Sequence, residues 1–287
     1  MRKLREFIIE KLVLLCGLAS IFFVVLIFLF LLREGLAVFK TISPSAFLAG
    51  KSWYPISEPP QLGILPLILG SLVVTFGAAL ISIPIGVGCA IYIAEIAPKR
   101  LKEILKAGIE LLAAIPSVVL GFIGMVTLVP FVKTVFHLPT GLTALSGSIM
   151  LAFMAMPTIV SIAEDALYSI PKTYKEGALA MGATHWQAIW RVMLRAASSG
   201  ILAAIMLGIG RVIGETMAVM MITGNAAVIP HSLFVPVRTL TATIAAEMGE
   251  AVIGSEHYFA LFAIGIVLFV ISFAINVTAD LFLHKRQ

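Results

Sequence analysis

The sequence predicts an all-α membrane protein of six transmembrane helices with both termini on the cytoplasmic side, and three observations carry that prediction. Hydrophobic residues make up 60% of the chain and charged residues only 12%, whereas soluble domains are near half apolar and a quarter charged. Long uncharged apolar windows recur along its 287 residues. Lys and Arg are spread unevenly over the segments that connect those windows.

The windows cover positions 12–32, 64–94, 111–132, 138–163, 196–210 and 258–279. A helix needs about 20 apolar residues to cross a bilayer core. The fifth window reaches that length only by running on through Arg211 and Glu215 to about position 222. The N-terminus, MRKLREFIIEK, resembles the basic start of a secretory signal. The apolar segment behind it is as long as a full span and has no small-x-small cleavage site before Arg33, so a retained first span is expected.

With the N-terminus inside, fourteen of the 20 Lys and Arg residues fall in inner segments, five in outer ones, and Arg211 within a span. Basic loops stay in the cytoplasm, which places both ends there. The net charge of +5 then reflects topology, and nothing resembles a nucleic-acid module. Cys16 and Cys89 fall inside spans as packing residues, with no CxxC. His137, His185, His231, His257 and His284 are scattered, so no metal site is expected. Ser71, Thr75, Ser117 and Asn276 read as bonding to their own backbone or to a neighbouring helix.

The outer loop 33–63 carries Pro55, Pro59 and Pro60, which argue against a continuous helix. Trp53 and Tyr54 there suit either anchoring at the lipid headgroups or docking of a partner. The outer loop 223–257, with Pro230, Pro236, Glu247, Glu250 and Glu256, leaves room for a short helix near the membrane surface. Glu164, Asp165 and Asp280 read as solvated residues at inner span ends.

The inner loop 164–195 reads EDALYSIPKTYKEGALAMGATHWQAIWRVMLR. Thr173 and Glu176 have capping-box spacing, as do Thr184 and Gln187, and Gly182 between them suits a left-handed helix stop. Two short helices meeting at a turn are expected. On the second, Trp186, Ile189, Trp190 and Met193 recur at helical spacing, opposite Arg191 and Arg195. That face suits either the membrane interface or a cytoplasmic partner.

Glu176, Gly177 and Ala178, then Gly182, Val192 and Leu194, resemble the EAA loop of ATP-binding-cassette importer permeases, with Gly177 for Ala, Val192 for Ile and Arg195 for Pro. Longer stretches resemble the phosphate-import permeases of the PstC type: ELLAAIPSVVLGFIG from position 110, GRVIGETMAVMM from 210, SEHYFALFAIGIVLFVIS from 255, and FLAGKSWYPIS in the first outer loop. The sister PstA type typically has AGETAP in place of GETMAV. The resemblance implies a type I ABC importer permease fold in a bacterial inner membrane. It divides the chain into a first span with its outer loop, 1–64, and a five-helix transmembrane domain, 65–287, with a coupling loop at 164–195.

It also implies a heterodimer with a PstA-like permease, two copies of a PstB-like ATP-binding subunit and an extracytoplasmic PstS-like phosphate-binding protein. ATP and Mg would be used by the partner ATPase, with no cofactor bound by this chain. Glu176, Gly177, Ala178, Gly182 and Thr184 would belong to the helix that docks on that ATPase.

Arg211 and Glu215 need a reason to sit in a span, since each ionised residue at mid-membrane costs about 2.5–3.5 kcal/mol on insertion scales. Four residues apart on one helix, they are expected to neutralise each other in part. Gly208, Gly210 and Gly214 beside them suit close approach of another helix. Either the pair is a structural bolt between helices, or it lines a route. On the second reading Arg211 offers bidentate hydrogen bonds to an oxyanion, Glu215 moderates its grip and Thr216 adds a hydroxyl.

No GxxxxGK(S/T) occurs, so this chain does not hydrolyse ATP by that route. A self-contained secondary transporter has no use for the double-capped inner loop, and no inverted repeat is evident. A membrane enzyme would need a convergent catalytic constellation, which is missing from the sequence pattern.

Overall fold

The computed structural model describes residues 2–284. Lys285 and Arg286, two of the inner basic residues, lie outside the described residues. The first span is α1 (Arg2–Gly35), continued by a 3-10 turn over Leu36–Lys40. A short α2 (Pro44–Ala49) follows, and strands β1 (Trp53–Tyr54) and β2 (Gln61–Leu62) pair antiparallel with Trp53 opposite Leu62.

The second span is α3 (Leu65–Ile91), which widens into a π-helical turn at Tyr92–Ile96. It leads to α4 (Lys99–Ala114). The third span joins α5 (Ser117–Ile123), a π-helical turn and α6 (Val129–Val135). The fourth is α7 (Ala144–Tyr168). The inner loop forms α8 (Lys172–Ala180), α9 (His185–Gln187), a π-helical segment over Ala188–Met193 and α10 (Leu194–Ala196). Then come α11 (Ser198–Ile213), α12 (Met217–Ile222), α13 (Leu240–Glu247) and the last span α14 (Glu256–His284).

Among the described residues, five helical runs are long and apolar enough to cross a membrane. The pair His185–Ala196 and Ser198–Ile213, bent by 71°, makes six if counted as one span. Spans two and four form the centre of the bundle. Their backbones approach closely because a Cβ on Gly77 would lie 2.4 Å from Ser148 Oγ, and one on Gly86 would lie 2.9 Å from Ile159. The Ser148 hydroxyl donates to Ala144 O at 2.8 Å, and it also lies within bonding distance of Val74 O on span two. Val74, Ala78, Leu151, Ala155 and Ile159 fill the core between them.

A second core lies under the loop that precedes span two, where Phe47, Trp53, Leu62, Ile64, Leu67, Leu240 and Leu261 are buried. The first span is different. Its apolar side chains are exposed, as suits a helix whose solvent is lipid, and it rests on α14 through Phe28 against Phe269 and Phe30 against Phe262.

The structure corrects four expectations. The window 111–132 is not one helix: Pro116 forces Ile115 into extended backbone with ψ 128°, because the residue before proline is pushed out of the helical region. The third span starts at Ser117, and α4 before it is an amphipathic helix. The run 196–222 is also broken, between Ile213 and Met217. Trp53 is 2% exposed and sits in the core instead of at the headgroups. The Thr173 box does not form, since the helix is capped two residues earlier, at Pro171, with no side-chain cap bond.

Candidate functional site

The break in the fifth span decides the geometry of its charges. With Gly214, Glu215 and Thr216 outside regular helix, Arg211 and Glu215 do not share a helix face, and among the described residues no ion pair joins them. Arg211 Nη1 instead lies 3.5 Å from Thr158 Oγ1 on α7, a long hydrogen bond. Glu215 caps the next helix: its Oε1 accepts from the Ala218 backbone N–H at 3.1 Å, while its own carbonyl accepts from the Thr241 hydroxyl at 2.9 Å. The Thr216 hydroxyl turns back to Gly214 O at 3.2 Å.

Leu207, Gly210, Arg211, Gly214 and Met217 are exposed on this chain, forming one stripe along α11 and its break. Only one of the three expected glycine notches is filled. A Cβ on Gly208 would meet Ile159 at 2.5 Å, whereas one on Gly210 would meet nothing within 4 Å, and Gly214 closes the helix as its C-cap. The Arg211 guanidinium is thus a weakly engaged cation on an open stripe.

At the loop end, the turn between α8 and α9 is built as expected. Gly182 takes φ +84°, a conformation open to glycine without Cβ strain. Its N–H donates to Leu179 O at 3.0 Å and the Ala183 N–H to Ala178 O at 3.1 Å. Thr184 and Gln187 complete a reciprocal capping box. The apolar face of the following segment splits in two. Ile189 is buried beside Leu167 and Ile91 and Met193 is buried as well, but Trp186 and Trp190 stay half exposed, edge to face at 5.6 Å. Together with Tyr174 and Met181, also exposed, they give the loop an apolar outer surface.

Glu176 and Gly177 are exposed or partly so on α8, which buries none of its residues. Lys175 Nζ reaches Glu95 Oε2 at the end of span two, 2.5 Å away. A cavity of about 440 Å³ lies beside this bond, between α8 and the spans.

Two further ion clusters escaped the reading of the sequence. Glu164, expected to be solvated, is 3% exposed and bound by Lys102 at 2.7 Å and Lys106 at 2.8 Å, both on α4. Asp165 beside it is exposed and takes a second bond from Lys106. The hydrogen bond to Glu164 raises the Lys106 pKa above its ordinary value, against the lowering effect of burial, with Asp165 adding to the rise. The spacing of Lys102 and Lys106 on an amphipathic helix was the available signal.

At the opposite end of the spans, Glu247 accepts from Trp53 Nε1 at 3.0 Å, meets His257 Nε2 at 2.9 Å and pairs with Arg238. No local pattern marks that cluster. Among the described residues, no group of His, Cys, Asp and Glu is arranged to hold a metal.

Comparison with known proteins agrees with this architecture. Residues 82–286 match the model of the binding-protein-dependent transport system inner membrane component family. The chain is 43% identical over 274 residues to the probable ABC transporter permease protein YqgH of Bacillus subtilis, covering 95% of this chain and 89% of that one. It is 38% identical over 259 residues to the phosphate transport system permease protein PstC of Mesorhizobium japonicum, covering 84% and 78%.

Among solved structures, the MetNI methionine ABC transporter aligns with TM-score 0.63 at 21% identity over 81% of this chain and 100% of that one. A bacterial alginate ABC transporter aligns with TM-score 0.65 at 17% identity over 94% and 93%. These likenesses show the fold of type I ABC importer permeases. The chain belongs to the family of binding-protein-dependent transport system inner membrane components, as a multi-pass inner-membrane permease of an ABC importer.

Proposed function

We propose that this permease carries inorganic phosphate, forming with a sister PstA-like permease the pathway into the cytoplasm. Two PstB-like subunits hydrolyse ATP and a PstS-like protein delivers the anion. The observation that carries this reading is Arg211, a cation on the exposed stripe of the fifth span whose one polar side-chain contact among the described residues is a long bond to Thr158. A charge at that depth needs a polar surrounding. A pathway shared with the sister permease supplies one, and a guanidinium matches two oxygens of a tetrahedral oxyanion at once.

The phosphate transport names carried by several relatives at 34–38% identity favour phosphate among such anions. Glu215, bonded to α12, shapes the break that presents Arg211, and Thr216 lies at the same bend. The loop with Glu176, Gly177, Ala178, Gly182 and Thr184 docks on the ATPase, its exposed aromatic surface entering a cleft there. The termini then lie in the cytoplasm, on the side of that loop.

The test is ATP-dependent phosphate uptake by vesicles holding the assembled complex, with the unmodified chain and Arg211→Gln at matched assembly. Uptake by the unmodified complex that falls at least about ten-fold in the variant supports the reading, a loss of about 1.4 kcal/mol in barrier terms. Uptake of sulfate or another oxyanion in place of phosphate overturns the cargo. Unchanged uptake in the variant overturns the role of Arg211.

A further inference from the structure

We infer that the ion pair between Lys175 and Glu95 is the link through which movement of the coupling helix reaches the second span. The inference rests on the proposed docking of the 164–195 loop on an ATPase. It starts from how little holds α8 to the rest of the chain. None of its residues is buried, and the cavity of about 440 Å³ beside it separates its inner side from Ala94, Leu167 and Ile170. A helix packed side chain to side chain would transmit a push across a broad face. A helix standing over a gap passes it through its chain ends, its neighbours in the loop and any discrete tie.

Among the described residues, the one side-chain hydrogen bond from α8 to another element of the chain is Lys175 to Glu95. Its setting gives it strength. The Glu95 side chain is 9% exposed and that of Lys175 26%, so the carboxylate is largely out of water and its loss of partner is costly.

Glu95 belongs to the π-helical turn Tyr92–Ile96 that ends span two, just before the chain leaves the helix at Ala97. Such turns depart from regular helix and recur at functional positions. Span two in turn is locked against span four at Gly77 and Gly86, where Ser148 and Ile159 pack onto the glycines and leave no room for a Cβ. A displacement delivered at Glu95 therefore moves a tightly packed helix pair, and not a lone side chain. Lys175 and Glu95 are positioning residues: they touch neither the transported anion nor ATP.

The experiment uses the assembled complex in vesicles and compares Glu95→Gln, Lys175→Met and the exchanged pair Glu95→Lys with Lys175→Glu. Three quantities are read: ATPase subunit retained, ATP hydrolysed, and phosphate taken up per ATP. The single variants should keep the ATPase subunit and its hydrolysis while uptake per ATP falls about five-fold or more, the scale of an ordinary coupling free energy. The exchanged pair should recover most of that loss.

Single variants that keep the unmodified ratio overturn the inference, as does a loss that the exchange does not repair. Single variants that shed the ATPase subunit overturn it too, assigning the pair to docking. If the unmodified complex hydrolyses ATP and imports no phosphate, the cargo reading fails by itself. The link is then read from the ATP-driven change in distance between labels on α8 and on the loop end of α3. It survives if the single variants abolish that change and the exchanged pair restores it, and falls otherwise.

Discussion

Arg211 on the fifth span faces the Thr158 hydroxyl of the fourth at 3.5 Å, and forms no ion pair with the Glu215 that follows it four residues later. Adjacent charges that look like a neutralising pair in sequence are thus separate devices in space. One presents a cation on an open stripe, and the other caps the helix after the break.

That separation predicts different phenotypes. Glu215→Ala leaves the Ala218 N–H without its acceptor and should lower stability by about 1 kcal/mol, as loss of a helix cap does. Thr158→Val removes only a long bond and should cost less than about 0.5 kcal/mol. Thermal unfolding of the purified complex checks both. A double-mutant cycle between Arg211→Gln and Glu215→Gln should show coupling below about 0.5 kcal/mol, and a larger value would mean that the two charges do interact.

Glu247 binds three elements at once: Trp53 of the first outer loop, Arg238 before α13, and His257 at the start of the last span. Its side chain is only 16% exposed. Glu247→Gln should therefore destabilise by on the order of 2–4 kcal/mol, because Arg238 is left partly buried without its counter-charge. Trp53→Phe keeps most of the packing, removes the indole donor, and should cost about 1 kcal/mol, the worth of one hydrogen bond, because Glu247 keeps Arg238 and His257. Proteolysis of the 33–63 loop, followed with time, should quicken in both variants and more in the first. Equal rates in all three proteins would show that Glu247 does not hold the loop.

The contrast between these sites and the loop shows what a sequence can carry. The spans, the Gly182 turn and the Thr184 box are local: apolar length, one glycine and a three-residue spacing determine them, and the structure has all three. The Glu247 cluster joins residues 194 positions apart in Trp53 and Glu247, so no window contains it. The break at Gly214 to Thr216 escaped for another reason. Its apolar surroundings favour helix, and what holds it open is Thr241, a side chain from a later element. The break at Pro116 was readable in principle, since proline excludes helix from the residue before it, but the apolar run on both sides outweighed it.

The α4 helix should respond to alkali. Lys106 has a raised pKa, so its contribution to holding α4 on Glu164 is complete below the ordinary lysine value of 10.5 and is lost as pH climbs through the raised one. Protection of α4 amides, taken relative to the intrinsic exchange rate that itself rises with pH, should hold from neutral pH upward and fall only above that range. Glu164→Gln should bring that loss of protection to neutral pH, as it leaves Lys102 and Lys106 without the carboxylate they share. If α4 exchange is the same in the variant and the unmodified chain, the helix is held by Leu105 and Ile109 on their apolar contacts and not by the charges.

Gly208 and Gly210 lie two residues apart on α11 and face different surroundings, which makes them a paired test of where the fifth span meets a partner. A methyl at Gly208 would lie 2.5 Å from Ile159 Cγ1 in the packed core. Gly208→Ala should therefore cost about 1–3 kcal/mol by overpacking, less the gain of up to about 1 kcal/mol that alanine brings to a helix interior. Gly210 has no neighbour within 4 Å on this chain, so the same change should leave the isolated chain as stable or slightly more so. In the heterodimer the expectation reverses, because a small residue on an exposed membrane helix is where another helix comes close. Gly210→Ala should then lower recovery of the sister permease in co-purification while the separate chain unfolds at an unchanged or higher temperature. Normal recovery would place the exposed stripe, with Arg211 on it, against a water-filled passage, because a helix packed there would leave no room for the added methyl.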